Sequence, residues 1–159
     1  MITKIDQLNH LSLFAFRGLF SSLEPPKTSL MQGFFRGMFV GPGWLRRLAV
    51  PLLVVTGLGG WWGKDFSTEG HACNLVLRKG QFKRCFPMTL VEQASFIDGR
   101  PGLALRYAAS NPFPWPLIVD ELRCINQDLV LGMTMAKLGP LQRLALPFVL
   151  QPVEDIDGL

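Results

Sequence analysis

Apolar residues recur at helical spacing at the start of the chain. Ile5, Leu8, Leu11, Phe14 and Leu19 fall near every third or fourth position, and Thr3 stands three residues before Asp6 in a capping arrangement. That spacing predicts one amphipathic helix between Thr3 and Phe20. Ser21-Ser22 end it, because Pro25-Pro26 removes two backbone donors and pushes Glu24 toward extended geometry. From Leu30 onward the pattern shortens to the alternation of strands broken by turn residues. Strands are predicted over residues 30–40, 58–66, 72–78, 82–90, 92–97, 103–108, 117–125, 129–136 and 144–151.

The turns between them carry their own chemistry. Lys79-Gly80 and Asp98-Gly99 are short hairpin connectors in which glycine supplies a positive φ, and Asn126-Gln127-Asp128 joins two apolar strands. Each implies an antiparallel pair. A meander this long removes its exposed edges by closing, so the prediction is an all-β, mainly antiparallel single barrel with an N-terminal helix. Gly43–Val55 interrupts the strands, and Trp44, Leu45, Leu48, Ala49 and Leu52 there fit one side of a short helix or lid, with Arg46 and Arg47 opposite and Pro51 against helical bonding. Asn111-Pro112-Phe113-Pro114-Trp115-Pro116 is too rich in proline to pair and is expected to cross a barrel mouth as extended chain.

Composition narrows the classes of partner. The 159 residues are 48% hydrophobic and 18% charged with a net charge of +4, enough apolar material for one core. The division expected is 1–29 as N-terminal helix and linker, 30–151 as barrel and 152–159 as an acidic tail holding Glu154, Asp155 and Asp157. Bases form only short pairs such as Arg46-Arg47 and Lys83-Arg84, so no stripe exists to neutralise a run of phosphates and no nucleic-acid partner is expected. Cys73, Cys85 and Cys124 have neither disulfide nor zinc spacing and are expected as buried free thiols. The apolar stretch from Leu11 to Phe20 contains Arg17 and no cleavage signal, which fits a cytoplasmic protein. The longest apolar run, Leu48 to Trp62, is shorter than the roughly 20 residues of a spanning helix and contains Pro51 and three glycines. With Arg46 and Arg47 before it, that run leaves a membrane surface open as a partner.

Two segments together carry a resemblance: Gly33-Phe34-Phe35-Arg36-Gly37, then Gly60-Trp61-Trp62-Gly63-Lys64-Asp65-Phe66. They resemble the paired signatures of the GxWxG domain family, with Phe35 where the family has tryptophan. Pro116 to Arg123, Asp128 to Met133 and Pro147 to Leu150 are similar to the companion domain of unknown function. The resemblance spans roughly residues 30–151 and looks like a divergent member. It implies a lipocalin-like (calycin) barrel with an interior cavity, and it carries over no catalytic residue, because the family has none assigned.

Alternation selects the candidate site. Along residues 117–125, Leu117, Val119, Glu121, Arg123 and Ile125 share one face, and Ile118, Asp120, Leu122 and Cys124 the other. One face of a closed barrel looks inward, so either Asp120 or the Glu121/Arg123 set needs a buried partner, for which Lys64, Arg36 and Arg106 are the candidates. The pair is read either as a structural ion pair or as a cationic clamp on a ligand's polar head. Trp61 and Trp62 point to opposite faces, so at most one lines the cavity. Met133 and Met135 form an apolar row with Leu129 and Leu131 that suits core packing or a cavity accepting varied apolar shapes.

The candidate ligand-binding residues are therefore Arg36, Trp61, Lys64, Arg106, Tyr107, Asp120, Arg123 and Met133. His10 and His71 do not make a metal site, no nucleotide fingerprint is present, and no metal or cofactor is expected. The expected function is non-catalytic binding of a hydrophobic or amphipathic small molecule. The alternatives are an enzyme using a buried acid, Asp120 or Glu121, and a peripheral membrane or interaction module.

Overall fold

The computed structural model describes residues 5–156. Eight antiparallel strands close into one lipocalin-like barrel: β1 (Gly33–Phe39), β2 (Trp61–Phe66), β3 (His71–Arg78), β4 (Gln81–Ala94), β5 (Pro101–Tyr107), β6 (Ile118–Asn126), β7 (Leu129–Ala136) and β8 (Leu146–Val153). Each pairs with the next, and β8 returns to β1 with Phe39 opposite Phe148. Nine predicted strands become eight because residues 82–90 and 92–94 belong to one 14-residue strand, β4, where no turn residue breaks the chain, while residues 95–97, predicted to continue the second of these strands, lie in the turn that follows. The β3–β4 connection is the expected two-residue turn, with Lys79 and Gly80 both at positive φ (52° and 73°).

The N-terminal helix is two helices rather than one. α1 (Ile5–Leu8) ends at a turn, and α2 (Leu13–Ser22) starts afresh where Ser12 accepts a hydrogen bond from the Ala15 N–H at 3.1 Å. The predicted Thr3 cap lies outside the described residues. Phe16 and Phe20, four apart on α2, are buried against the outer barrel wall with Leu8, Leu131, Met133 and Val149. At the other end of the sequence β8 runs on to Val153, so the barrel extends past residue 151, and Ile156 packs on the outer wall with Trp62 and Leu75.

Gly43–Val55 is a helix, α3, and it accommodates Pro51. Leu45 and Ala49 face the barrel, whereas Trp44 and Leu48, predicted to share their side, lie exposed on the flank. The proline-rich loop also differs from its expected form: instead of extended chain it makes a tight turn ending in Trp115–Leu117, with a cis bond before Pro114. It still reaches the barrel mouth, where the Trp115 indole N–H donates to the Thr56 carbonyl at the end of α3 at 2.8 Å. The cysteines are free but half-buried rather than fully buried. No helix among the described residues is long and apolar enough to cross a membrane.

Candidate functional site

The barrel interior is divided across its middle. Below, Phe35, Phe66, Leu103, Leu122, Val130 and Leu150 fill the space. Above lies a cavity of about 470 Å³, walled by Phe39, Trp61, Ile118 and Phe148 and covered by Ala49, Leu52 and Leu53 of α3 with Trp115 beside them. Its volume lies in the usual range for small-molecule sites.

The layer between the halves is polar. Lys64 Nζ pairs with Asp120 Oδ2 at 2.9 Å and donates to Asn74 Oδ1 at 2.9 Å, with Tyr107 Oη at 3.5 Å and Met88 Sδ at 3.6 Å. Thr134 Oγ1 donates to Asp120 Oδ1 at 2.6 Å, and the Tyr107 hydroxyl donates to Asp120 Oδ2 at 3.3 Å. Asn74 Nδ2 donates to Tyr107 Oη at 3.2 Å, and the Trp61 indole donates to Asn74 Oδ1 at 3.0 Å. Lys64 and Asp120 are each 2% exposed, which is tolerable because each meets an opposite charge and further hydrogen bonds. The Trp61, Tyr107 and Phe148 rings stand 5.6–5.9 Å from the ammonium. Burial, and then the Asp120 charge, push the Tyr107 hydroxyl well above its ordinary range, so it stays protonated and donates.

Local sequence explains how these groups converge. Trp61 and Lys64, three apart, both face inward because β2 carries a bulge: Trp61 lies opposite Val76 and Gly63 opposite Leu75, leaving Trp62 as the extra residue. Trp62 turns outward, against Phe82 at 5.1 Å, not against the N-terminal helices. Gly37 on β1 lies directly under the Trp61 indole, and a Cβ there would enter the ring.

Of the predicted ligand-binding residues, Trp61, Lys64, Tyr107 and Asp120 line the cavity. Arg36, Arg106, Arg123 and Met133 do not. Arg36 is outside, bonded to the Trp62 carbonyl at 3.1 Å with its guanidinium 5.0 Å from that ring. Arg106 is exposed and bonded to Gln93 at 2.7 Å. Met133 is buried on the outer wall beneath the N-terminal helices. Arg123 belongs to a second buried charge cluster on that wall: it pairs with Asp98 at 3.4 Å, lies over Gly102, and stands 4.9 Å from the Phe20 ring. Glu121 joins the same side, accepting from Ser95 Oγ at 2.5 Å and the Phe96 N–H at 2.7 Å. Asn74, Met88 and Thr134 complete the inner layer and were not foreseen.

No family model and no curated protein matches the chain. A crystal structure of a protein from Thermomonospora curvata is similar, with a TM-score of 0.72 over 94% of this chain and 93% of that one at 24% identity. The likeness is one of fold: a barrel of this kind, on a scale that spans nearly the whole of both chains.

Proposed function

We propose that the protein binds an apolar or amphipathic small molecule in the upper cavity without transforming it. The observation that carries this reading is an apolar cavity of about 470 Å³ above a polar floor whose charges cancel. Apolar walls favour an apolar body through the area withdrawn from water. The floor favours a polar end that is uncharged, because the Lys64 ammonium already meets Asp120 and its donors are engaged by Asn74, Tyr107 and Met88. An incoming carboxylate would have to displace Asp120 or bring a second negative charge beside it. A ligand hydroxyl can donate to the Thr134 oxygen, whose own proton is already given to Asp120, at no such cost.

Native mass spectrometry of protein purified from cells tests the reading, together with displacement of aminoanthracene, a neutral fluorescent probe. The expected result is a small-molecule adduct, and probe binding that is lost in Ala136→Phe, where a ring enters the cavity. Dodecanol should displace the probe better than dodecanoate. Absence of both adduct and probe binding would overturn the proposal, and stronger displacement by dodecanoate would overturn the uncharged polar end.

A further inference from the structure

α3 departs from what a surface helix needs. Its barrel side is Leu45, Ala49 and Leu53, so its outer side should be polar. Instead Trp44, Leu48, Val50, Val54 and Val55 are between 57% and 84% exposed. Beside them at the same end of the barrel, Phe113 is 80% exposed and Leu141 and Leu144 are each 50% exposed. Ten of the fourteen large apolar side chains exposed among the described residues lie in the segments that cap this mouth, a concentration far beyond the scattered exposure of ordinary surfaces.

Charge is polarised along the same axis. The four connections at this end, residues 40–60, 79–80, 108–117 and 137–145, hold Arg46, Arg47, Lys79, Lys137 and Arg143 and no Asp or Glu. The three turns at the opposite end each hold an acid, Glu69, Asp98 and Asp128, and among them a single base, Arg100, which is paired with Glu24. An apolar tip ringed by bases fits a surface that offers acyl chains at its depth and negative charge at its level. A second copy of this chain fits poorly, because a symmetric pairing through this end would set bases against bases.

We propose that the α3 end docks on an anionic lipid bilayer, with Trp44, Leu48 and Val55 at the boundary of headgroups and acyl chains and with Arg47, Lys137 and Arg143 among the phosphates. Docking in this way puts the cover of the cavity, Ala49, Leu52 and Leu53, next to lipid. The docking surface itself does not depend on what fills the cavity.

Flotation with vesicles tests it, using phosphatidylcholine with a quarter phosphatidylserine against pure phosphatidylcholine. The protein should float with the anionic vesicles at low ionic strength, less at high salt, and not with the neutral ones. Each base near such a surface contributes about five-fold in partition, so the triple variant Arg47→Gln, Lys137→Gln, Arg143→Gln should lose about a hundred-fold, and the charge-reversed triple variant Arg47→Glu, Lys137→Glu, Arg143→Glu more. Trp44→Ser should weaken flotation while leaving the thermal transition in place. Ala136→Phe, which blocks the cavity, should float like the unaltered protein, which separates this proposal from the ligand-binding one. No flotation with anionic vesicles at low ionic strength would overturn it, as would flotation undiminished in the triple variants. Self-association without lipid that Trp44→Ser abolishes would assign the patch to a second copy instead and equally overturn it.

Discussion

Asp120 and Glu121 are neighbours on β6 and equally buried, yet they serve opposite walls of the same strand. Asp120 looks into the barrel, where both its oxygens are occupied and every partner is itself bonded. Glu121 and Arg123 look out beneath α2, and there the bonding is incomplete: Arg123 Nε and Asp98 Oδ2 are buried without partners. The contrast shows two ways of keeping charge inside a protein. The inner layer, under an apolar-walled cavity, is completed by bonds among its own side chains. The outer cluster lies between Phe20 and the β4–β5 turn, and its two unmade bonds remain a cost to the fold.

The comparison breaks most sharply at Asp120. Asp120→Leu leaves the Lys64 ammonium buried without its counter-charge and should cost about 3–5 kcal/mol in urea unfolding. The double variant Lys64→Met, Asp120→Leu should recover most of that loss, since removing both charges leaves nothing to desolvate. If the double variant is no more stable than the single, the two residues are not a pair in the sense argued above. On the outer wall Arg123→Met should cost less, about 1–3 kcal/mol, because its ion pair is longer and its guanidinium already lacks one partner. Equal costs at Asp120 and Arg123 would remove the distinction between the walls. Thr134→Val, which deletes a single hydrogen bond from the inner layer, should cost about 1 kcal/mol and sharpen the estimate of how tightly that layer is knit.

The smallest effect is one of pH. Burial, and then the Asp65 charge, push the Cys73 thiol from 9.0 up to about 11, and Tyr107 is raised well above 10.0. Both groups hold their protons in the folded protein more firmly than in the unfolded chain. The unfolded chain therefore binds fewer protons above pH 9, and stability falls as pH rises. The Cys73 contribution is present below pH 9 and is lost by about pH 11, and that of Tyr107 begins to be lost near pH 10. Unfolding followed across this range should show a shallower decline in Cys73→Ser between pH 9 and 11, and an unchanged decline there would contradict the raised thiol.

Much of this was readable in the sequence, and the failures have physical reasons. Alternation along β6 placed Asp120 and Glu121 on opposite faces correctly, because no bulge disturbs the strand between Ile118 and Cys124. What it could not show was that the outer face is covered as well, since that depends on where α2 docks. The apolar row of Met133 and Met135 was open to a cavity reading for the same reason: a wall beneath a helix and a wall beside a ligand call for the same residues. Arg106 is a different case. It adjoins Tyr107 on β5, and two consecutive strand residues cannot both face inward, so parity alone excluded one of them. Asn74 stood in the sequence as a lone amide among Ala72, Leu75 and Val76, a signal of a buried polar partner that was there to be read.

Trp62 carries one further consequence, for how the chain tolerates change in length. Because it is the supernumerary residue of β2, the strand accommodates one extra residue at a single point instead of inverting every side chain after it. Deleting Trp62 would bring Trp61 and Lys64 to ordinary two-residue spacing with both still facing the cavity. The ring that covers Phe82 and Ile156 would be lost, along with the seat of Arg36. The inner and outer surfaces of this strand are thus separately editable: the outside can gain or shed a residue while the chamber keeps its lining.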